Sequence, residues 1–377
     1  MALDCYESSI FYFQNVSKLD FNMTNVVLIE NTGSGHNGGM AEDEVSVECF
    51  SYLCRNKLHD RDMTVGEIIR NRQTTGFSIE VLPPVKGSSI NKVFSSIDKL
   101  KEFDPLFINI TTHHSEPVYE TSADGALKKV FVRKRPGTVA VAAAIQQRYG
   151  IPVVPHVICQ GYTRNDTEYM LIDLNFLGIH DLFALRGDAD KEIEVAQADC
   201  HLHATGLIEQ INNLNNGQFL DGTLNDPLES KFSFGVAGYP EKHAEAPNFE
   251  SDIKYLKQKV DMGAEYIITQ LFYDNQKYYA FVDRCRAAGI DVPIVPGLKP
   301  LYKKSQLTVL PRIFNCEIPQ EFVEAVEKCK DDAAVKQVGI EWLTMQCKDL
   351  MAHGVPDLHF YTLMATDAVY AVAKNIY

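Results

Sequence analysis

The residues predict an α/β protein built as a single (β/α)8 barrel, and three observations carry that prediction. Eight short runs rich in β-branched and aromatic residues recur between Phe77 and Thr362, separated by stretches with helical spacing. The runs are nearly all apolar rather than alternating, as parallel strands buried on both faces should be. Eight such units in roughly 300 residues fit a closed barrel better than an open doubly wound sheet.

Taken in order, residues 77–82, 107–111, 153–158, 182–186, 233–237, 266–272, 292–295 and 358–362 read as the strands. Helical spacing fills the intervals, as in 88–103, 139–147, 166–177, 249–262 and 278–288. Ser88 and Ser89 are placed to cap the first of these. Gly178, Gly263 and Gly289 follow three others, where a left-handed stop is expected. Residues 63–70, Met-Thr-Val-Gly-Glu-Ile-Ile-Arg, read as a short helix leading into the first strand. The chain shows no internal repeat and no long low-complexity segment.

Composition narrows the function. The chain has 377 residues; at about 150 per domain that allows two or three domains, although one α/β barrel can take about 250. Apolar residues make up 45% and charged residues 23%, which excludes a disordered chain, a collagen-like fibre and a coiled coil. Lys+Arg 36 against Asp+Glu 50 gives −14, so phosphate-backbone binding is not expected as the main activity. Without an apolar run of about eighteen residues, no membrane-spanning helix is expected. The amino terminus lacks the basic segment and apolar core of a secretion signal. Nine scattered Cys without a CxxC pair read as reduced thiols in a cytoplasm. Residues 1–62 differ in texture, with an excess of acids and a Gly- and Asn-rich stretch, and read as an N-terminal extension of uncertain structure.

In a parallel barrel the chemistry sits at the carboxyl ends of the strands. Glu80 lies inside the apolar run Phe77-Ser-Ile-Glu-Val-Leu. Burying it charged is costly, so its pKa should rise, and a carboxyl still protonated near neutrality can donate a proton. The alternative is a strand acid held by a lysine. His156 sits between apolar neighbours, where a satisfied core residue is the plainer reading than a ligand or base. The fourth strand stops in Arg186, Gly187 and Asp188, which puts a cation, a flexible turn and an anion at one barrel mouth. An internal Arg186–Asp188 salt bridge is its rival. Gln270 could hydrogen-bond a planar amide-bearing ligand. Pro296-Gly-Leu-Lys-Pro300 reads as a rigid turn.

Seven segments together resemble the methylenetetrahydrofolate reductase family. They are Ser78-Ile-Glu-Val-Leu-Pro-Pro84, Val154-Pro-His156, Leu185-Arg-Gly-Asp188, Gly238-Tyr-Pro-Glu-Lys-His243, Ile268-Thr-Gln-Leu-Phe-Tyr-Asp274, Asp283-Arg-Cys-Arg-Ala-Ala-Gly-Ile290 and His359-Phe-Tyr-Thr-Leu363, in the family's order. The resemblance implies an FAD-binding TIM barrel over residues 63–377. Such an enzyme takes a hydride from NADH or NADPH and passes it to 5,10-methylenetetrahydrofolate, giving 5-methyltetrahydrofolate for methionine synthesis. By resemblance, Glu80 is the general acid that protonates N10 as the five-membered ring opens. Asp188 is the carboxylate beside flavin and pterin, Gln270 reads the pterin, and Gln306 is a second folate contact. The implied FAD contacts are Thr111, His156, Arg186, Gly187, Asp188, His203, Ala204, Tyr239, His243, Asp252 and Lys259. His203-Ala-Thr205 departs from the family's usual Tyr-Ala-Ser. Leu310 stands where some members carry a phenylalanine that stacks on the nicotinamide. Longer members add an adenosylmethionine-sensing domain after the barrel, and that regulation is expected to be absent here. Small molecules are the expected partners, with neither nucleic acid nor membrane, and a homo-oligomer is left open.

Several motifs compete with this reading. Gly33-Ser-Gly-His-Asn-Gly38 fits G-x-G-x-x-G, but the roughly forty residues before the first strand are too few for a dinucleotide-binding domain. If Cys200-His-Leu-His203 is helical, its two His point to opposite sides, and adjacent His113 and His114 diverge in an extended chain, so no metal is expected. Asn165-Asp-Thr167 fits a glycosylation site that a cytoplasmic setting leaves idle. A binding-only barrel that has lost the chemistry would have no need of Glu80. A folate-linked methyltransferase would need a thiolate–zinc site that the cysteine spacing does not offer. For residues 1–62, a spurious upstream start is the plainer reading and a small appended element its rival. A chain beginning at Met63 is therefore expected to fold and bind flavin; precipitation of that chain, with the full one active, would contradict this.

Overall fold

Parallel pairing bends the sheet round until its two ends meet. In the computed structural model, residues 63–122, 125–187, 199–363 and 365–377 are described, all within the unit Arg61–Tyr377. The strands are β1 (Gly76–Val81), β2 (Ile108–Ile110), β3 (Glu116–Thr121), β4 (Leu127–Val132), β5 (Val153–Ile158), β6 (Asp181–Leu185), β7 (Ser233–Gly238), β8 (Tyr266–Thr269), β9 (Ile294–Val295), β10 (Gly297–Leu298) and β11 (Asp357–Tyr361). The helices are α1 (Val65–Arg70), α2 (Asn91–Leu100), α3 (Thr138–Tyr149), α4 (Arg164–Phe176), α5 (Ala204–Asn215) and α6 (Phe249–Asp261). They continue with α7 (Asn275–Ala287), α8 (Gln306–Phe314), α9 (Gln320–Glu327), α10 (Asp332–Ala352) and α11 (Thr366–Ile376).

Round the barrel the order is β1, β2, β5, β6, β7, β8, β9, then β10, β11 and back to β1. Two of these are one stave interrupted at Pro296: β9 pairs with β8, and β10 pairs with β11. Proline has no N–H to give the ladder, yet its carbonyl still accepts from His359 N at 3.1 Å. Eight parallel staves result, as the sequence predicts.

Side chains alternate between the two faces of each stave. Phe77, Ile79, Leu358 and Phe360 pack outward beneath the helices in the main core. Ser78, Glu80, His359 and Tyr361 alternate with them and therefore face the barrel interior. Deeper inside, Phe107, Val154, Phe183, Tyr266, Ile268 and Val295 form an inner core with Val65 and Ile69 of α1. Each such burial contributes about 1.5–3 kcal/mol. Helix α1 spans the amino ends of the strands: Thr64 Oγ1 donates to Glu265 Oε2 at 2.5 Å, just before β8, and Val65 N donates to Asp181 Oδ1 at 2.8 Å, at the start of β6. A capping box between Thr64 and Glu67 starts the helix.

Gly178, Gly263 and Gly289 have the expected left-handed conformation, with φ of 68°, 110° and 74°. The cap of α2 is shifted: Ile90 is the cap residue and makes no side-chain bond, while Ser89 Oγ accepts from Asn91 N at 3.1 Å. The antiparallel hairpin of β3 and β4 is not expected from the sequence. It is inserted between β2 and α3 and largely exposed, so no burial pattern marks it. Residues 1–62, including Gly33–Gly38, lie outside the described residues. The described cysteines are free, and among the described residues no helix is long and apolar enough to cross a membrane. Thr64→Ala removes the cap and the Glu265 bond together, and should cost ~0.5–2 kcal/mol in urea unfolding; an unchanged midpoint would argue that α1 is not part of the cooperative unit.

Candidate active site

At the carboxyl end of the barrel, β1 presents Glu80, 7% exposed, inside a strand buried along its whole length. The neighbouring interior positions supply its surroundings. His156 Nε2 of β5 lies 3.5 Å from Glu80 Oε2, and Asn109 Nδ2 of β2 lies 3.3 Å from the same nitrogen. Burial pushes the Glu80 carboxyl up to about 8, against the opposing pull of Lys299. Burial, helped by the charge of His113, pushes His156 down to about 3. Near neutrality both are uncharged, so their contact is a neutral pair rather than a salt bridge. With its proton on Nδ1, His156 can accept at Nε2 from the Asn109 amide, with the Glu80 carboxyl alongside.

Tyr361 is paired with Glu80 across the β1–β11 ladder, and its hydroxyl donates to Thr269 O of β8 at 2.6 Å. That reach depends on Gly297, where a Cβ would stand 2.0 Å from Thr269 O and 2.5 Å from the tyrosine oxygen. Gln270 follows at once. Its Oε1 accepts from Leu271 N at 2.9 Å, which leaves the Nε2 donors for a ligand. Gln306 is more committed: its Oε1 accepts from Tyr302 N at 2.8 Å and Lys303 N at 3.0 Å, fixing the turn before α8. Leu310 is buried with Leu271, Leu301 and Phe322.

Most of the other expected residues gather beyond β6 and β7. Arg186 makes a bidentate pair with Glu245, at 2.5 and 2.9 Å. Asp188 itself lies outside the described residues. Gly187 has φ of 86°, which a side chain would strain. The Tyr239 and His243 rings meet edge to face at 4.6 Å. Asp252 Oδ2 accepts from His243 N at 2.9 Å, and Lys259 Nζ donates to Ala237 O at 2.9 Å. Burial lowers Lys259 to about 8, with Asp252 acting against it. The charges of Arg186, Asp252, Glu245 and Lys259 all reach His243, whose own pKa is lowered first by burial. His203 reaches Glu245 in turn. Thr111 Oγ1 lies 3.2 Å from His113 Nε2.

The structure corrects one premise. Residues 200–203 precede α5 rather than lying on a helix; His203 is the N-cap, without a side-chain cap bond, and Ala204 is the first helical residue. His201 Nε2 lies 2.5 Å from Gln210 Oε1. Among the described residues no three His, Cys, Asp or Glu side chains converge as a metal site would require. A Ser–His–Asp set does occur, at Ser78, His359 and Asp357. Ser78 stands between the other two, donating to Asp357 and lying 2.8 Å from His359 Nδ1, and all three are fully buried. Without a histidine bridging serine to aspartate, this is a core network and no relay. A groove of about 790 Å³ between α6 and α7, lined by Phe249, Lys254 and Arg284 among others, includes none of the expected site residues.

Sequence reasoning missed Lys299, which is 6% exposed. Its signal was a lysine in inward phase just after the apolar pair Val295 and Leu298, masked by the prolines on either side.

The raised carboxyl has a measurable consequence. Between pH 4.5, the ordinary value, and about 8 the unfolded chain has lost the Glu80 proton and the native chain keeps it. Stability therefore falls as pH rises through that window. Glu80→Gln should show a shallower fall in its urea midpoint from pH 5 to pH 8 than the parent. Equal slopes would mean that the carboxyl is ionised in the fold.

Comparison with known proteins gives the chain's family. The methylenetetrahydrofolate reductase family model matches residues 64–377. The chain is similar to 5,10-methylenetetrahydrofolate reductase of Salmonella typhimurium, 31% identical over 331 residues, which cover 87% of this chain and 98% of that one. It is similar as well to methylenetetrahydrofolate reductase (NADH) 1 of Arabidopsis thaliana, 31% identical over 316 residues. That match covers 80% of this chain and 48% of the plant protein, so the chain spans about half the plant relative's length. Among solved structures, an uncharacterized protein from Clostridium thermocellum that binds two copies of 5-methyl-5,6,7,8-tetrahydrofolic acid shares the fold, with a TM-score of 0.52 and 13% identity, covering 83% of this chain and 98% of that one. From Thr64 to its last residue, the chain belongs to the methylenetetrahydrofolate reductase family.

Proposed function

We propose that this chain reduces 5,10-methylenetetrahydrofolate to 5-methyltetrahydrofolate, with NADH or NADPH as hydride donor and FAD as the carrier between them. The observation that carries the reading is Glu80: an acid buried at the barrel mouth and still protonated at neutral pH. A barrel that only bound folate or flavin would gain nothing from that carboxyl, which is costly to ionise there.

The residues present fit FAD. The α5 amino terminus has no side-chain cap, so its first N–H groups can receive a phosphate. His203 and Ala204 lie there, Arg186 and Lys259 bring positive charge to the neighbouring strand ends, and His243 adds a neutral imidazole beside them. Gly187 leaves room for close backbone approach. Thr111, Tyr239 and Asp252 complete the assigned contacts. His156 stands beside Glu80 rather than within this cationic group. FAD bound there would supply the two-electron chemistry that links nicotinamide to folate.

The chain's own part is to bind, orient and move one proton. Gln270 offers its amide to the pterin, and Gln306 shapes the adjacent turn through its Oε1. Glu80 holds its proton until N10 of the folate takes it as the five-membered ring opens. Asp188, assigned by resemblance, would place a negative charge beside the cation formed on the folate. The scattered thiols suit a reducing, cytoplasmic setting.

Glu80→Gln should keep FAD and its reduction by the nicotinamide, while folate reduction falls ~10²–10⁴-fold. Stopped-flow measurement of each half-reaction tests this, and an unchanged folate half-reaction would sink the assignment. Asp188→Asn should raise the flavin's reduction potential, because a negative charge is lost. A redox titration giving a lower potential would place Asp188 elsewhere.

A further inference from the structure

Lys299 follows β10 directly. Leu298 pairs with Phe360 of β11, and Phe360 pairs with Ile79 of β1. All three pack outward in the main core. The next residues along the three staves are Lys299, Tyr361 and Glu80, so strand alternation turns Lys299 inward, level with the acid. Gly339 of α10 holds the following turn close: a Cβ there would stand 1.8 Å from Leu301 O.

Lys299 is as buried as Glu80. Among the described residues its ammonium has no hydrogen bond and no salt bridge; the Tyr302 ring lies 6.0 Å away. A cation with so little water and no direct partner is costly unless some charge answers it.

We propose that Lys299 is a positioning residue for proton delivery: its ammonium is the counter-charge for the carboxylate that Glu80 becomes on giving up its proton. The inference rests on the reading of Glu80 as proton donor. In that step the Glu80 O–H bond breaks and an N10–H bond forms on the folate. The electron pair stays on the Glu80 oxygen, and Lys299 keeps all its protons. Water returns a proton to Glu80 after product leaves. Lys299 therefore makes Glu80 a stronger acid without touching the substrate.

The other groups facing the carboxyl do not supply that charge. His156 of β5 is pushed down to about 3 by burial, and His359, below it on β11, is pushed down likewise. The charge of His113 acts on His156, and His113 is not among the causes that shift Glu80. Burial raises the Tyr361 phenol well above its ordinary range, and Tyr239 acts on that phenol. Asn109 is uncharged. Lys299, lowered by burial to about 8 while Glu80 acts against that shift, is still an ammonium at pH 7.

The test reads the acid itself. Infrared difference titration of unliganded protein follows the Glu80 carboxyl band, identified by its loss in Glu80→Gln. In Lys299→Met and Lys299→Gln the midpoint should rise by about one pH unit, a tenfold weaker acid, while Lys299→Arg holds it near the parent value. In the FAD-loaded enzyme, both neutral variants should slow the folate half-reaction about tenfold and shift its pH limb upward. Reduction by the nicotinamide should not change. A midpoint that stays put or falls in both neutral variants overturns the proposal. If the midpoint moves but the parent protein reduces no folate, the functional reading falls, and the step assigned to Lys299 falls with it.

Discussion

Five successive residues of β1, Gly76 to Glu80, pair in parallel with five of β11, Asp357 to Tyr361. This closing ladder joins segments some 280 residues apart in the chain, a separation seen directly in the Thr362 Oγ1 bond to Glu80 O. The last residue is fastened to the same seam, where the Tyr377 hydroxyl donates to Gly76 O. Closure leaves no open edge in the barrel, and it fixes which side chains face inward. A slip of β1 by one residue against β11 would turn Ile79 into the barrel and expel Glu80. The apolar cost of that slip protects the polar site.

Once the register is set, depth decides what each inward polar group can do. Near the amino ends, Ser78, Asp357 and His359 are fully buried and bond to one another, and Phe107 stacks on the His359 ring at 5.7 Å. Burial holds His359 neutral and raises Asp357 to about 7. One residue pair higher, Glu80 and Lys299 stand level at the barrel mouth, each acting on the other through its charge. The same desolvation that makes the lower network rigid makes the upper pair chemically poised: a carboxyl near 8 beside an ammonium near 8. Their titrations belong to the pair, because each charge acts on the other.

The second half of the site is built differently. Glu80 owes its place to a strand, but Arg186, Gly187, Tyr239 and His243 stand on turns after β6 and β7, braced from α6 by Asp252 and Lys259. Turns of this kind can close on a large anionic ligand while the staves stay fixed. The Arg186–Glu245 pair is exposed on the Glu245 side, so exchanging that carboxylate for a phosphate is a small rearrangement compared with moving a buried group.

Sequence alone determined the number of staves, their order, and the segments that carry Glu80, Arg186, Tyr239, His243 and Gln270, because fully buried parallel strands announce themselves as apolar runs and strand ends as polar interruptions. It gave the expectation of a raised Glu80 pKa, since desolvation follows from the run around it, and left open an acid held by a lysine. Tertiary structure decided who meets whom. That Arg186 faces Glu245, that residues 200–203 lie ahead of a helix, and that the hairpin of β3 and β4 projects after β2 could not be read from local pattern. Each depends on exposed or distant contacts that leave no periodicity. Lys299 is the sharpest case: its sequence neighbours spell a proline-bounded turn, and only the closing of β10 onto β11 and β1 turns that lysine toward the acid.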